Sequence, residues 1–253
     1  MSKKIVIGNW KMNPLTLKEA EKLFAGTAGL IAGDKKVEVV VCPPFLYLEK
    51  LRKISKRISV GAQNGFFEDT GAFTGEVSLE MLYDIGARYV ILGHSERRAM
   101  GETDMDVNKK VKSAIKASFT PVLCIGESAR DENHEYLNFI RKELEACLAG
   151  ISRNSVSKLI IAYEPIWAIG EGAHSATPEE FLEMSIFIKK ILSDKFGVEA
   201  GGKIRIIYGG SADEKNAGEF LKIGKADGFL LGRASLNPKK FNKIIQIAGE
   251  SKG

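Results

Sequence analysis

The chain holds 253 residues, 44% of them hydrophobic, and its 37 Lys+Arg against 32 Asp+Glu leave a net charge of +5. That apolar fraction is ample for a folded core and excludes a charge-dominated disordered chain. The basic excess is mild and dispersed. Its densest cluster, Arg52, Lys53, Lys56 and Arg57, has the spacing of a solvated helix face rather than a nucleic-acid patch, so no nucleic-acid partner is expected. The three cysteines, Cys42, Cys124 and Cys147, form no C-x-x-C pair and are odd in number, which points to reduced, buried thiols in a cytosolic setting. After Met1 only Ile5-Val6-Ile7-Gly8 is apolar before Asn9, too short for a signal-peptide core. No run approaches the ~18 apolar residues of a membrane span. A soluble, cytoplasmic protein with no membrane partner is the expectation.

Along the chain, short apolar runs alternate with longer helical patterns. Strands are expected at 4–10, 37–42, 58–63, 88–93, 120–126, 158–164, 204–209 and 226–232. Most are almost continuously apolar, as in Val37-Glu38-Val39-Val40-Val41, which suits a parallel sheet covered on both faces. Val107, Val111, Ala114 and Ile115 recur at helical spacing after the fourth strand. After the sixth, Thr177-Pro178-Glu179-Glu180 supplies an N-cap, a proline at the first helical position and a capping-box glutamate. Phe181, Met184, Ile188, Ile191 and Leu192 follow as its inward stripe. Asn237-Pro238 opens the last helix, with Phe241, Ile244, Ile245 and Ala248 on one face.

Eight strands alternating with eight helices in about 250 residues match a (β/α)₈ barrel: a closed, eight-stranded parallel barrel ringed by helices. A doubly wound open sheet would be expected to carry G-x-G-x-x-G after its first strand, and Gly8-Asn9-Trp10-Lys11 does not supply it. With no linker or composition shift, residues 1–253 read as one domain. The longest non-helical connection, 64–77, is long enough to expect a function for it.

In such a barrel the chemistry lies at the carboxyl ends of the strands. Those ends carry Asn9-Trp10-Lys11, Gly93-His94-Ser95-Glu96, Gly126-Glu127, Tyr163-Glu164-Pro165, Gly209-Gly210-Ser211 and Gly232-Arg233. An amide, a lysine, a histidine and a carboxylate therefore converge on one rim, beside two glycine-bearing turns of the kind that bind phosphate. Each residue also has a plainer reading. Glu164 could cap a helix or pair with a lysine, and Lys11 could be a surface lysine. His94 could cap a short helix, and Gly209-Gly210-Ser211 could be an ordinary turn. His134 lies in a charged stretch and reads as exposed. H-E-x-x-H, H-x-H, cysteine ligand pairs and G-x-S-x-G are all absent from the sequence, as is a redox-cofactor fingerprint. Acid–base chemistry on a small anionic substrate, without metal or cofactor, is what the rim leaves.

Eight segments resemble the triosephosphate isomerase family in that family's own order. They are GNWKMN at 8–13, GAQN at 61–64, TGEVS at 74–78, LGHSERR at 92–98, CIGE at 124–127, AYEPIWAIG at 162–170, YGGS at 208–211 and GRASL at 232–236. The resemblance spans essentially the whole chain and implies a TIM barrel. It implies interconversion of dihydroxyacetone phosphate and D-glyceraldehyde 3-phosphate, with no cofactor. Glu164 matches the family's base, His94 its electrophile, Lys11 the cation that offsets phosphate and enediolate charge, and Asn9 the amide beside it. Backbone N–H groups of Gly170, Ser211, Gly232 and Arg233 match its phosphate donors. The segment 165–176 matches a closing lid, positioned by Trp167 and Glu127.

Two places depart from the family pattern. The lid region 170–176 is one residue longer than usual, with Glu171 where threonine is common and no lysine, and altered lid kinetics are expected. Arg233 stands where a second glycine is common, and it would be strained if that position required φ > 0. The loop 64–77 matches the family's interdigitating dimer loop, which implies a homodimer. Thr74 would approach Asn9 and Lys11 across the interface, and Glu76 would pair with an arginine such as Arg97. The competing readings are another barrel enzyme acting on a phosphosugar, and a catalytically weak phosphate-binding or adhesion barrel.

Overall fold

The computed structural model describes residues 3–31, 36–168 and 175–251. Eight strands, β1 (Lys4–Asn9), β2 (Val37–Cys42), β3 (Ser59–Ala62), β4 (Tyr89–Leu92), β5 (Thr120–Ile125), β6 (Ile160–Tyr163), β7 (Arg205–Tyr208) and β8 (Gly228–Leu231), pair in sequence order. All pairs are parallel, and β8 closes on β1 with Ile5 opposite Gly228. Each lies within a run expected to be a strand. Around them run α1 (Leu17–Leu30), α2 (Leu48–Arg52), α3 (Leu79–Asp84), α4 (Ser95–Ala99), α5 (Asp104–Lys116), α6 (Glu135–Cys147), α7 (Pro178–Phe196), α8 (Val198–Lys203), α9 (Ala217–Lys222) and α10 (Pro238–Glu250). The sequence suggested eight helices. The described residues hold ten, because the connections after β4 and β6 each contain a second, short one. Gly197, at φ +83, stops α7 and starts α8.

The helix starts follow from local chemistry. Thr177 accepts from the Glu180 amide while the Glu180 side chain accepts from Thr177 N–H, with Pro178 at the first helical position. Asn237 caps α10 by accepting from Lys239 and Lys240. The inward stripes expected for α7 and α10 are buried throughout. The basic cluster at 52–57 is a correction: α2 ends at Arg52, and Lys53, Lys56 and Arg57 sit exposed in the turn beyond it. Leu51 and Ile58 are buried on either side of that turn, and the chain between them bends into β3 instead of continuing the helix. Cys42, Cys124 and Cys147 are unpaired and buried, as expected.

Because side chains alternate across a strand, residue parity decides which face each one takes. Ile5, Ile7, Val40, Cys42, Ile91, Val122, Cys124, Ile160, Ala162, Ile207 and Leu230 form the inner cluster. Their neighbours of opposite parity, among them Val6, Val41, Val90, Leu123, Ile161, Ile206 and Leu231, pack under the helices. The same inward parity places Glu38, Tyr89 and Arg205 at the amino-terminal end of the barrel. There Arg205 Nη1 lies 2.8 Å from Glu38 Oε2, and the Tyr89 hydroxyl donates to the other carboxylate oxygen. Burial and the Glu38 carboxylate hold the Tyr89 phenol above its usual range. At the opposite end, inward parity carries 9, 164, 209 and 232 into one layer.

Under β6 and β7, Phe181 packs against Tyr163, Tyr208 and Phe220, with the Phe181–Tyr208 centroids 5.5 Å apart and edge-on. Phe181→Ala is expected to cost about 3–5 kcal/mol through lost burial and the cavity left behind. Urea unfolding should show a lower midpoint at unchanged slope.

Candidate active site

Lys11 leaves β1 in the left-handed region, at φ +54, a strained conformation for a non-glycine residue. Two side chains hold it there. Asn9 Oδ1 accepts from the Lys11 amide at 3.0 Å, and Gln63 Nε2 donates to the Lys11 carbonyl at 2.8 Å and to the Cys42 carbonyl at 2.9 Å. The turn aims the Lys11 ammonium at Glu96, with Nζ 2.5 Å from Oε1.

His94 is the N-cap of α4, and its Nδ1 accepts from the Glu96 amide at 3.1 Å. A ring nitrogen that accepts carries no proton, so the neutral ring has its proton on Nε2. Nε2 lies 3.3 Å from Glu164 Oε1. The other oxygen, Oε2, accepts from the Ser95 amide at 3.1 Å. Glu164 is 2% exposed and continues the inward parity of Ile160 and Ala162 one step past β6. Its backbone N–H donates to Ile125 O at 2.8 Å. Gly209 faces it across the rim, where a Cβ would sit 2.7 Å from Glu164 Cγ, so the next strand end has room only for glycine. The Cys124 thiol lies beneath; burial, with Glu164 adding to it, pushes that thiol well up.

A cavity of about 610 Å³ opens over these groups and is lined by Asn9, Lys11, His94, Glu164, Ser211, Gly232 and Arg233. The Ser211 hydroxyl donates to Ala168 O at 3.2 Å. A Cβ at Gly232 would lie 3.3 Å from Lys11 Cε, which puts the turn after β8 directly beside the ammonium stem. Arg233 begins a 3₁₀ turn, Arg233–Leu236, without a positive φ, so the strain considered for arginine there does not arise. Its side chain is exposed. Gly170, and the departures at 170–174 in the lid region, lie outside the described residues. Glu127 Oε1 accepts from Tyr163 Oη at 2.7 Å, Trp167 Nε1 at 2.8 Å and Arg130 Nε at 3.2 Å. His134 is exposed, at the start of α6.

The structure thus brings Asn9, Lys11, His94, Glu164, Ser211, Gly232 and Arg233 to one cavity. Sequence reasoning missed Glu96 as the partner of Lys11, the Ser95 amide on Glu164, Gln63 behind Lys11, and Arg130 beside Glu127. Glu96 and Gln63 stood inside quoted motifs, and a count of unpartnered polar residues next to the expected rim was the available signal.

Fold and rim together define a TIM-barrel enzyme whose buried carboxylate and imidazole face a single cavity. A family model described as triosephosphate isomerase matches residues 4–248. The chain is 43% identical over 252 residues to a protein named triosephosphate isomerase from Endomicrobium trichonymphae, covering 98% of this chain and all of that one. It is also 43% identical to proteins of the same name from Alkaliphilus oremlandii over 251 residues and Dictyoglomus thermophilum over 250, each covered in full. The chain belongs to the triosephosphate isomerase family.

The His94 tautomer is open to direct measurement. With ¹⁵N-labelled histidine at pH 7, NMR should show an unprotonated Nδ1 and a protonated Nε2. A proton found on Nδ1 would contradict the contact with the Glu96 amide.

Proposed function

We propose that this chain interconverts dihydroxyacetone phosphate and D-glyceraldehyde 3-phosphate, with Glu164 as base and His94 as electrophile. The observation that carries the assignment is the Glu164 carboxylate, 2% exposed, held 3.3 Å from His94 Nε2 at the floor of the cavity that Lys11 borders. The reaction belongs to glycolysis and its reversal.

The chemistry runs as a proton shift between adjacent carbons. Glu164 takes a proton from C1 of the ketose, and the electron pair moves to the carbonyl oxygen as an enediolate forms. The His94 Nε2–H donates to the substrate oxygens and stabilises that developing charge at the moment it appears. The hydroxyl proton on the C1 oxygen passes to the C2 oxygen, with His94 Nε2 giving a proton to one oxygen and recovering it from the other. The protonated Glu164 returns its proton to C2, which leaves the aldehyde at C1 and a hydroxyl at C2. The tautomer imposed by the Glu96 amide is the one this step needs.

Lys11 opposes the negative charge of both phosphate and enediolate. Its present contact with Glu96 is exposed enough to be exchanged for substrate, the two side chains being 34% and 53% accessible. Backbone N–H groups of Ser211, Gly232 and Arg233, with Gly170, serve the phosphate. Backbone donors lose no side-chain entropy on binding. No metal or cofactor enters this scheme. We further place the activity in one domain over residues 1–253, in the cytoplasm, a reading that the three unpaired thiols support. No helix among the described residues is long and apolar enough to cross a membrane.

Glu164→Gln should lower turnover of D-glyceraldehyde 3-phosphate in a coupled assay by about 10³-fold or more while leaving substrate binding near wild type. Turnover that survives the substitution would remove Glu164 as the base.

A homodimer through the loop 64–77 is part of the same proposal. Stacking of Phe66 on Phe67, with Phe73 tilted against Phe66, and the Phe66 N–H to Val77 O bond at 2.8 Å fold the loop on itself. Residues 70–76 stand exposed, including 44% of Phe73. Arg97 is engaged in its own chain, where Nε lies 3.2 Å from Glu102 Oε1. Sedimentation at micromolar concentration should give twice the 27.7 kDa chain mass. A 27.7 kDa species alone would dismiss the dimer.

A further inference from the structure

The two groups assigned to the proton shift stand on strand ends that the sheet joins unequally. Pairing of β5 with β6 runs to Ile125–Tyr163 and continues through the Glu164 N–H to Ile125 O bond. Pairing of β4 with β5 stops at Leu92–Leu123, before Gly93 and His94.

Beyond that point a half-buried arginine meets a buried carboxylate. Arg98, on α4, donates from Nε to Gly93 O at 2.8 Å, and its Nη2 lies 3.1 Å from Glu143 Oε1. Glu143, on α6, is 3% exposed, and its Oε2 accepts from the Gly126 amide at 3.0 Å. Gly126 in turn packs on the residue that matters: a Cβ there would lie 1.7 Å from Glu164 O. A continuous chain of contacts therefore runs from the carbonyl before His94, through guanidinium and carboxylate, to the amide pressed against Glu164. Asp104 at 2.5 Å and Cys147 Sγ at 3.4 Å complete the shell around Arg98.

We propose that Arg98 and Glu143 are positioning residues for the proton shift, fixing the separation of His94 and Glu164 by clamping the ends of β4 and β5. The proposal rests on the isomerase reading above. Burial pushes the Glu143 carboxyl up, against the pull of the Arg98 guanidinium, so a charge is costly where it stands. Well-packed apolar residues commonly replace such pairs with no loss of stability, which makes a purely structural role a poor account of this one. The geometry offers the better account, because the pair bridges the two backbones from which the reacting side chains are hung.

The test compares wild type with Arg98→Lys, Glu143→Leu and Glu143→Gln in the glyceraldehyde 3-phosphate assay, below their melting temperatures and per mole of folded protein. Inhibition by inorganic phosphate is measured alongside, since three of the four backbone donors assigned to phosphate, Ser211, Gly232 and Arg233, lie after β7 and β8, away from the clamp. Arg98→Lys and Glu143→Leu should lower kcat by about 10- to 100-fold, the scale of a small misplacement of reacting groups. KM and the phosphate inhibition constant should stay within about twofold. Glu143→Gln should fall between, because its amide oxygen still accepts from Gly126 but loses the ionic tie to Arg98. If Glu143→Leu does not fold, the other two variants decide. Wild-type kcat in variants with lowered melting temperatures would overturn the proposal, as would parallel loss of kcat and phosphate inhibition. An inactive wild type would instead bring down the isomerase reading itself.

Discussion

A single turn of helix, α4, makes four connections that the rest of the rim depends on. At 3.6 residues per turn, consecutive residues point about 100° apart, so a five-residue helix reaches four directions at once. The Ser95 amide meets Glu164, and the Glu96 carboxylate meets Lys11. Arg97 meets Glu102, which also binds Lys110, whose ammonium reaches Asn64 at the start of the loop 64–77. Arg98 reaches Gly93 and Glu143. A helix this short has no stability of its own, since nucleation costs more than one turn returns. These contacts hold it in place, and in return it ties the rim, the lysine and the long loop to one body.

Charge on the rim is arranged so that little has to move when substrate arrives. The Glu164 carboxylate already accepts from one backbone amide, and His94 already has its acceptor nitrogen occupied. Lys11 is held in a backbone conformation that few side chains adopt, with Asn9 and Gln63 bonded around it. Strain of this kind persists only where neighbours over-determine it. The energy of holding the site in order is thus spent during folding, which leaves less ordering to be done when substrate binds.

Much of this was legible in the sequence because it is local. Apolar runs marked the strands, and Thr177-Pro178 and Asn237-Pro238 marked helix starts by chemistry confined to four residues. The motifs at the strand ends identified the rim for the same reason: once eight strands close, their carboxyl ends must meet. What stayed hidden depends on separation in the chain. Glu96 finds Lys11 across 85 residues, and Glu143, on α6, answers Gly126 just beyond the end of β5. No periodicity encodes such partners. The short α2 was missed because the basic spacing at 52–57 fits a helix face as well as a turn, and the helix break at Gly197 because one glycine divides the connection after β6. Arg233 shows the reverse case. Sequence made strain there conditional on a positive φ, and the backbone does not adopt one.

The Glu38–Tyr89–Arg205 cluster at the amino-terminal end of the barrel has a consequence for the cavity at the other end. Among the described residues its own charges are paired and layers of Ile, Val, Leu and Cys lie above it, so the barrel is filled below the cavity. The cavity opens on the carboxyl-end rim, so whatever covers that rim controls the dielectric around the reacting groups. At the far end the charge that points along the barrel axis is compensated within the cluster itself. The loops at that end are therefore the natural place to attach a tag, a fusion partner or a solid support without the rim sensing the change.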